Sequence, residues 1–399
     1  TTHYMKDRFS LSFKAFYLIY LGAIGSFIPY INTYLEKNAG LSGSQIGLIT
    51  AISLVLGVCV IPIWGVVGDK TRKYSALLKL SIMAALVVLY FYYKAAVYPA
   101  IVVCAIALEV SRLGTMPMAD TLATNYCHKT GGNYGSIRGM GSLGYMLAGM
   151  AVGFLADLFG LDGAMFATYA VLLILAFSIS FGFPKDDGKK EDGEEVKVKK
   201  GSFKELLTNK NFLFILFLQL LMSTVVDSAM TYGGNHLTVT LNSGASAISW
   251  MTFATVLPEV AFLMIAIKVL NKTGFKKFYL IACVSMMLRF GVYAFIPNQY
   301  AFLAISIVHC IGVAIATVAS LTYIRNSVDP AVLGTAITLL NATLSIGKAI
   351  YGYIFGVVYE IWGSFIMFGI CLIPFVIAFL MISRSHCFDE IDKHKGHIA

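Results

Sequence analysis

Charged residues are scarce in this chain of 399 residues. They make up 13% of it, whereas a soluble domain usually carries about 25%. Apolar residue types make up 58%, so most of the surface must face lipid rather than water. This composition excludes an ordinary soluble protein. The net charge of +9 does not indicate nucleic-acid binding, because the basic residues occupy short loops between apolar runs, which is typical of membrane orientation.

Motifs of enzyme chemistry are also missing. The sequence has no Walker loop, no zinc-binding helix motif and no nucleophile elbow. The seven cysteines are scattered, without metal-ligand spacing or a disulfide framework. We therefore expect small core residues at the cysteine positions, no metal, no cofactor and no catalysis. A cleavable signal peptide is not expected either, because the first apolar run is too long.

Long apolar runs are what the sequence does contain. A helix that crosses a membrane needs about 20 largely apolar residues, and twelve runs qualify. They cover residues 12–36, 45–68, 74–94, 97–126, 135–158, 162–183, 211–236, 246–270, 276–296, 300–326, 332–359 and 362–383. We predict an all-α membrane protein with twelve transmembrane helices in two six-helix bundles.

The loops between these runs alternate in charge. Basic residues cluster at 69–73, 128–129, 185–210, 272–277 and Arg325, whereas Lys37 and Lys94 are nearly alone on the other side. This bias puts both termini in the cytoplasm. The charged stretch 184–210 is expected to be a cytoplasmic linker between an N-terminal bundle, 1–183, and a C-terminal bundle, 211–399, that ends in a short cytoplasmic tail.

The two halves of the chain also resemble each other. The stretch from Tyr134 to Gly160 is echoed by Leu333 to Gly363, about 200 residues later. Internal repeats with a substrate site between them are typical of secondary transporters.

Nine ionisable residues lie well inside the apolar runs. They are Glu109, Arg112, Asp120, Arg138, Asp227, Glu259, Arg289, His309 and Lys348. A charge at the centre of a bilayer costs at least ~2.5 kcal/mol and persists only beside a partner or a water-filled path. The set therefore predicts a polar path through the membrane, and a transporter is the first interpretation.

Spacing suggests how the charges of the first half are arranged. Asp120 and Arg138 lie at similar depth on either side of the turn at 128–133, so they can meet and bind a hydroxyl-rich ligand together. Tyr145 follows Arg138 by two turns and can stack against a sugar or base. A structural ion pair and plain helix packing are the alternatives. Glu109 and Arg112 are spaced i,i+3 and are predicted to pair structurally.

The charges of the second half form two further groups. Asp227 and Lys348 lie near the middle of the seventh and eleventh runs and are predicted to form a structural pair. Glu259, Arg289 and His309 come from three successive runs and can form a protonation switch together. Hydrogen-bonded packing of the histidine is the alternative.

Several motifs resemble one known family. The aromatic stretch 16–30, the loop 65–72 and the succession of 117–120, 134–138 and 141–145 are similar to segments of the major facilitator superfamily. Within it, the likeness is to the sugar and nucleoside proton symporters typified by lactose permease. The resemblance makes Gly65, Asp69 and Arg72 candidate gating residues, although the loop is short and lacks the glycine usual after the aspartate.

The resemblance also implies roles for the buried charges. It implies sugar binding by Asp120, Arg138, Tyr145 and Glu259, proton coupling by Glu259, Arg289 and His309, and an interhelical pair of Asp227 with Lys348. Two positions depart from the pattern. Gly312 stands where the proton-carrying acid is expected, and Ser306 stands where a lysine is expected. Glu259 or Asp120 carrying the proton, sodium coupling and no coupling remain open.

The resulting expectation is a monomeric transporter of the cell inner membrane. It would import a small hydroxylated solute by alternating access, a sugar or oligosaccharide before a nucleoside, with H+ as the coupling ion. Its partners would be the substrate and the lipid bilayer, not nucleic acid. An efflux transporter of the same fold and a non-transporting membrane sensor are the alternatives.

Overall fold

The computed structural model describes residues 2–130, 134–183, 206–328 and 333–393. Helix is the only regular structure in these ranges, and it includes π-helical turns at His236–Thr240 and Ile315–Ala319. The predicted all-α class is therefore confirmed. The predicted linker, 184–210, lies outside the described residues up to position 205.

Ten helical segments of the described ranges are long and apolar enough to cross a membrane. One of them, Ala336–Arg384, runs through a kink at Gly363 and a turn at Cys371 and is therefore not one continuous helix. The apolar stretch Gln299–Ala314 is shorter than a span, and the chain continues from it through the second π-helical turn. Twelve crossings and two cytoplasmic termini stay predictions.

The chain divides into two compact units. The first comprises Thr1–Asp192 and Leu237–Thr252, and the second comprises Gly193–His236 and Phe253–Ala399. Residues 237–252, which the sequence places in the C-terminal bundle, thus group with the first unit. The predicted bundle boundaries themselves stay predictions.

The first unit is built mainly from the first seven helices. They are α1 Thr2–Lys37, α2 Gly43–Thr71, α3 Tyr74–Lys94, α4 Tyr98–Arg112, α5 Thr115–Thr130, α6 Tyr134–Phe159 and α7 Leu161–Ser180. Helix α1 packs closely against α6, because a Cβ atom on Gly144 would lie only 1.9 Å from the carbonyl oxygen of Leu18. Glycine at this position lets the two backbones touch.

The second unit contains shorter helices, broken inside the apolar runs. They are α8 Lys210–Leu221, α9 Ser223–Met230, α10 Gly233–Asn235, α11 Ser246–Thr273, α12 Phe275–Phe295, α13 Gln299–Ser306, α14 His309–Ala314, α15 Ser320–Ser327, α16 Leu333–Ile370, α17 Leu372–Arg384 and α18 Asp389–Lys393. The first residues of α11 belong to the first unit.

The internal repeat is visible in the backbone. Gly160, between α6 and α7, has φ 88° and ψ 149°, and Gly363, at the kink of α16, has φ 79° and ψ 171°. This region of conformational space is essentially restricted to glycine. The two halves therefore turn from one helix to the next in the same way at the positions that the sequence pairs.

Two carboxylates from distant parts of the chain cap helix N-termini. In the first unit, the Asp157 carboxylate accepts hydrogen bonds from the backbone nitrogens of Ala245, at 2.6 Å, and Ser246, at 3.1 Å. In the second unit, Asp392 does the same for Phe275 at 2.7 Å and Lys276 at 3.1 Å. Both caps satisfy backbone donors that the helix leaves unpaired.

The C-terminal tail is anchored by Phe388. Its side chain is fully buried and stacks on the ring of Tyr279, with ring centroids 5.3 Å apart, and it meets the ring of Tyr323 edge-on at 5.4 Å. The Tyr323 hydroxyl also donates a hydrogen bond of 3.0 Å to the carbonyl oxygen of Cys387. The described part of the tail, up to residue 393, is thus an integral part of the second unit.

Candidate functional site

Asp120 is held by two tyrosines from other helices. The hydroxyls of Tyr17 on α1 and of Tyr134 at the start of α6 both donate to the same carboxylate oxygen, Oδ1, with a distance of 2.8 Å from Tyr134. The other oxygen, Oδ2, accepts no hydrogen bond from the described residues. Asp120 lies inside Tyr98–Cys127, a segment apolar enough to span a membrane. The site is therefore an intramembrane carboxylate with one oxygen occupied and one available.

Arg138 does not take the place predicted for it. It is exposed on α6, and the described residues contain no ion pair between it and Asp120. The prediction that Asp120 and Arg138 pair directly is therefore wrong, because the tyrosine hydroxyls, and not the guanidinium, donate to Oδ1. Tyr145 lies two turns further along α6 and is half-buried. Whether either residue binds substrate stays a prediction.

Glu109 and Arg112 form an ion pair on one helix, with 2.6 Å between the Glu109 Oε1 and Arg112 Nη2 atoms. Their side chains are only 13% and 22% exposed. The hydroxyl of Tyr20 donates to the carbonyl oxygen of Arg112 at 3.3 Å. The two charges neutralise each other at the end of α4, which is the arrangement that the i,i+3 spacing indicates.

Asp227 and Lys348 form an ion pair between α9 and α16, with 2.6 Å between the lysine Nζ and Asp227 Oδ2. A second contact joins the same two helices beside the ion pair, because the Ser228 hydroxyl donates to the carbonyl oxygen of Lys348 at 3.1 Å. One turn later the Tyr232 hydroxyl donates to the carbonyl oxygen of Gly352 at 3.0 Å. The pair thus lies on a continuous line of contacts between two helices.

Arg289 is fully buried and has only neutral partners among the described residues. Its Nε donates to the Tyr293 hydroxyl at 2.9 Å, Nη1 to His309 Nδ1 at 2.9 Å, and Nη2 to the Met230 sulfur at 3.0 Å. A guanidinium only donates, so Nδ1 of His309 must accept and its hydrogen must be on Nε2. The imidazole is therefore neutral in this arrangement.

Glu259 stands apart from the arginine and histidine with which it was predicted to converge. It is half-buried on α11, and no hydrogen bond or ion pair joins it to Arg289 or His309 within the described residues. Sequence spacing along separate helices does not determine the directions of their side chains.

The two positions that depart from the family pattern have structural substitutes. The Ser306 hydroxyl lies 2.6 Å from the Tyr293 hydroxyl, and so extends the hydrogen-bond chain that starts at Arg289. Gly312 is buried, and a Cβ atom there would lie 3.3 Å from the Met286 sulfur. The described surroundings of Gly312 are therefore apolar packing, not a carboxylate.

The candidate gating residues lie at the end of α2. Gly65 and Asp69 are helical, and Arg72 follows in the left-handed conformation with φ 57°, its backbone nitrogen 2.8 Å from the carbonyl oxygen of Gly68. The Asp69 side chain lies outside the described residues. A gating role for the three stays a prediction.

Sequence reasoning missed Tyr17, Tyr134 and Tyr293. Each is a hydroxyl partner of an intramembrane charge, and a tyrosine in an apolar run gives no signal that separates this role from packing. Two positions offer a hint. Tyr134 is the first residue after the predicted turn at 128–133, and Tyr293 follows Arg289 by four residues, which places both on one face of a helix.

A helical chain with multiple apolar spans and charges held inside them belongs to the class of multi-pass membrane transporters. A profile of the MFS_1 like family matches residues 10–370. The chain therefore belongs to this family of the major facilitator superfamily.

Two curated relatives cover nearly the whole chain. Maltose permease of Geobacillus stearothermophilus is 26% identical over 93% of this chain and 94% of its own length. The uncharacterized transporter YwbF of Bacillus subtilis is 27% identical over 98% of this chain and 96% of its own. Among solved structures, the nucleoside transporter NupG matches with a TM-score of 0.82, covering 94% of this chain and 99% of that one, at 16% identity. At that identity the likeness shows the fold.

Proposed function

We propose that the protein imports a small hydroxylated solute, preferably a sugar or oligosaccharide, across the cell inner membrane by proton symport. The observation that carries this proposal is the Asp120 carboxylate, whose Oδ2 accepts no hydrogen bond from the described residues. An ionised carboxylate oxygen is a strong acceptor for hydroxyl groups. The similarity to maltose permease supports the choice of a sugar.

Uptake of labelled maltose into proteoliposomes tests this proposal. Asp120→Asn and Arg138→Ala should each lower the initial rate of uptake, because each removes a charged group that a sugar hydroxyl can use. Asp162→Asn, at the start of α7, is the control and should transport like the wild type. Unchanged transport in both test variants removes the proposed site.

A thermal-stability screen of the purified protein decides between substrate classes. A ligand at 100 times its dissociation constant stabilises the folded state by ~2.7 kcal/mol. Maltose should stabilise the wild type more than nucleosides or organic acids do. Stabilisation by a nucleoside alone would transfer the proposal to that class, for which the putative nucleoside transporter YegT of Escherichia coli is a relative at 23% identity over 73% of this chain and 68% of its own length.

Glu259 is the carboxylate that we propose for the coupled proton. Gly312 cannot carry one, and Glu259 has no ion-pair partner among the described residues. Glu259→Gln should keep exchange of substrate across the membrane but lose accumulation driven by a proton gradient. Glu360→Gln, at an exposed position of α16, is the control. If sodium drives uptake and substrate addition causes no external alkalinisation, proton coupling is wrong.

A further inference from the structure

Three helices meet at Asp120. Tyr17 comes from α1, Asp120 from α5 and Tyr134 from α6, and the two tyrosine rings stand edge-to-face at 6.4 Å and 85°. Both hydroxyls converge on Oδ1 from different directions. Two donors on one oxygen fix the plane of the carboxylate, and with it the direction of Oδ2.

Both tyrosine rings are packed, although Tyr134 is only half-buried and packs on the ring of Tyr17. Tyr17 is fully buried and packs edge-on against Phe16, with 6.2 Å between the ring centroids. A tyrosine has only two side-chain torsions, so a hydroxyl carried by a packed ring loses little further entropy when it donates. The pair is therefore suited to positioning another group.

The tyrosine hydroxyls that donate to Asp120 are neutral, and they therefore affect the charge of the carboxylate differently from an arginine. An ion pair with Arg138 would cancel the charge of Asp120 and occupy its lone pairs. Tyrosine hydroxyls hold the carboxylate without cancelling its charge, so Oδ2 stays a charged acceptor. The exposed Arg138 then also remains outside an internal pair and can approach a ligand separately.

The geometry points to Tyr17 and Tyr134 as positioning residues that hold Oδ1 of Asp120 and present Oδ2 to a hydroxyl group of the transported solute. This inference rests on the proposed function for the identity of the ligand. The orientation of Asp120 by the two tyrosines does not depend on that identity, so the two can be tested separately.

Carbodiimide labelling of Asp120 tests the orientation without any substrate. Dicyclohexylcarbodiimide reacts with protonated carboxyl groups, and peptide mass spectrometry assigns the modified residue. Removing one donor from the carboxylate with Tyr17→Phe or Tyr134→Phe should increase the labelling rate at Asp120 about tenfold, because a charge-assisted hydrogen bond is lost. Tyr20→Phe is the matched control on α1, since that hydroxyl donates to a backbone carbonyl instead, and should label like the wild type. Equal rates in all four proteins would overturn the inference.

Maltose uptake tests the presentation of Oδ2. Each Tyr→Phe variant should raise KM about tenfold while the maximal rate changes less than twofold, and the KM effect should vanish in the Asp120→Asn background. Tyr20→Phe should leave both parameters unchanged. A lower melting temperature with unchanged KM would show a purely structural role and overturn the inference. If the wild type does not transport maltose but the labelling rates differ as expected, the proposed substrate fails and the orientation by the tyrosines stands.

Discussion

In the first unit a carboxylate, Asp120, is held by the hydroxyls of Tyr17 and Tyr134, whereas in the second unit a guanidinium, Arg289, is held by Tyr293, His309 and Met230. The sign of the charge is opposite, but in both cases the surrounding groups are neutral. A charge held by neutral groups is not neutralised, so it can still interact electrostatically with a ligand. A charge in an ion pair is largely neutralised by its partner and attracts a ligand less.

Each of the two units also contains an ion pair, one within a single helix and one between two helices. Glu109 and Arg112 pair within α4, while Asp227 and Lys348 join α9 to α16. The first pair is the less exposed of the two. The comparison separates charges that lie in ion pairs from charges that have only neutral partners among the described residues. We propose that the second kind serves function, and the following experiments test that proposal.

The largest effect is expected at Arg289. Arg289→Met should lower the initial rate of uptake about 100-fold, or about 2.7 kcal/mol, because the only fully buried cation of the described residues is lost. Its free energy of unfolding should change by less than about 1 kcal/mol, since the cost of burying a charge without a carboxylate is also removed. Uptake assays and thermal unfolding check the two halves of the prediction. Transport at the wild-type rate would make Arg289 a structural residue.

The second-largest effect is expected at Phe388, which anchors the C-terminal tail. Phe388→Ala should destabilise the protein by about 3 kcal/mol, because it leaves a cavity in a fully buried aromatic cluster. Thermal unfolding in detergent measures this loss. Phe295→Ala is the control, because that ring is 76% exposed and its removal leaves no cavity. A loss below about 1 kcal/mol in Phe388→Ala would mean that the tail is not part of the second unit in solution.

The two ion pairs should differ in cost. Glu109→Gln should destabilise by about 2 kcal/mol and Asp227→Asn by about 1 kcal/mol, because the orphaned Arg112 is more deeply buried than the orphaned Lys348. Unfolding of the single variants and of the double variants with Arg112→Met or Lys348→Met gives the coupling energies. Each double variant should be more stable than its acidic single variant. Strict additivity would show that neither pair is coupled.

The smallest effects are expected at the helix caps, where the two units are alike. Asp157→Ala and Asp392→Ala should each cost about 1 kcal/mol, because each leaves two helical backbone donors without their acceptor. Thermal unfolding compares them with Asp162→Ala, which removes only a charge from the first turn of α7. A cost at one cap but not the other would break the equivalence of the two units.

Much of the fold could be predicted from the sequence. The apolar runs indicated the helices of the first half, except that run 97–126 is divided into α4 and α5. The repeat paired Gly160 with Gly363, which share a backbone conformation. The breaks inside the second half, such as the π-helical turn at Ile315–Ala319, were not predicted. Apolar periodicity measures the length of a run and not the regularity of its hydrogen bonds.

The candidate site was predicted less completely. The i,i+3 spacing of Glu109 and Arg112 fixes their contact, because both lie on one face of one helix. The predicted partner of Asp120, Arg138, was wrong. Whether Arg138 or the two tyrosines contact the carboxylate depends on the packing of three helices, which the sequence does not specify.

The sequence by itself determined that this protein is a helical membrane transporter and that charges lie within its spans, since both follow from hydropathy and residue identity along a single run. Only the tertiary structure decided which charges are neutralised and which are held by neutral groups. The two tyrosine partners of Asp120 lie 14 and 103 residues away from it in the chain, and His309 and Met230 lie 20 and 59 residues away from Arg289. Contacts over such separations depend on helix packing and side-chain direction. Local sequence patterns carry information on neither.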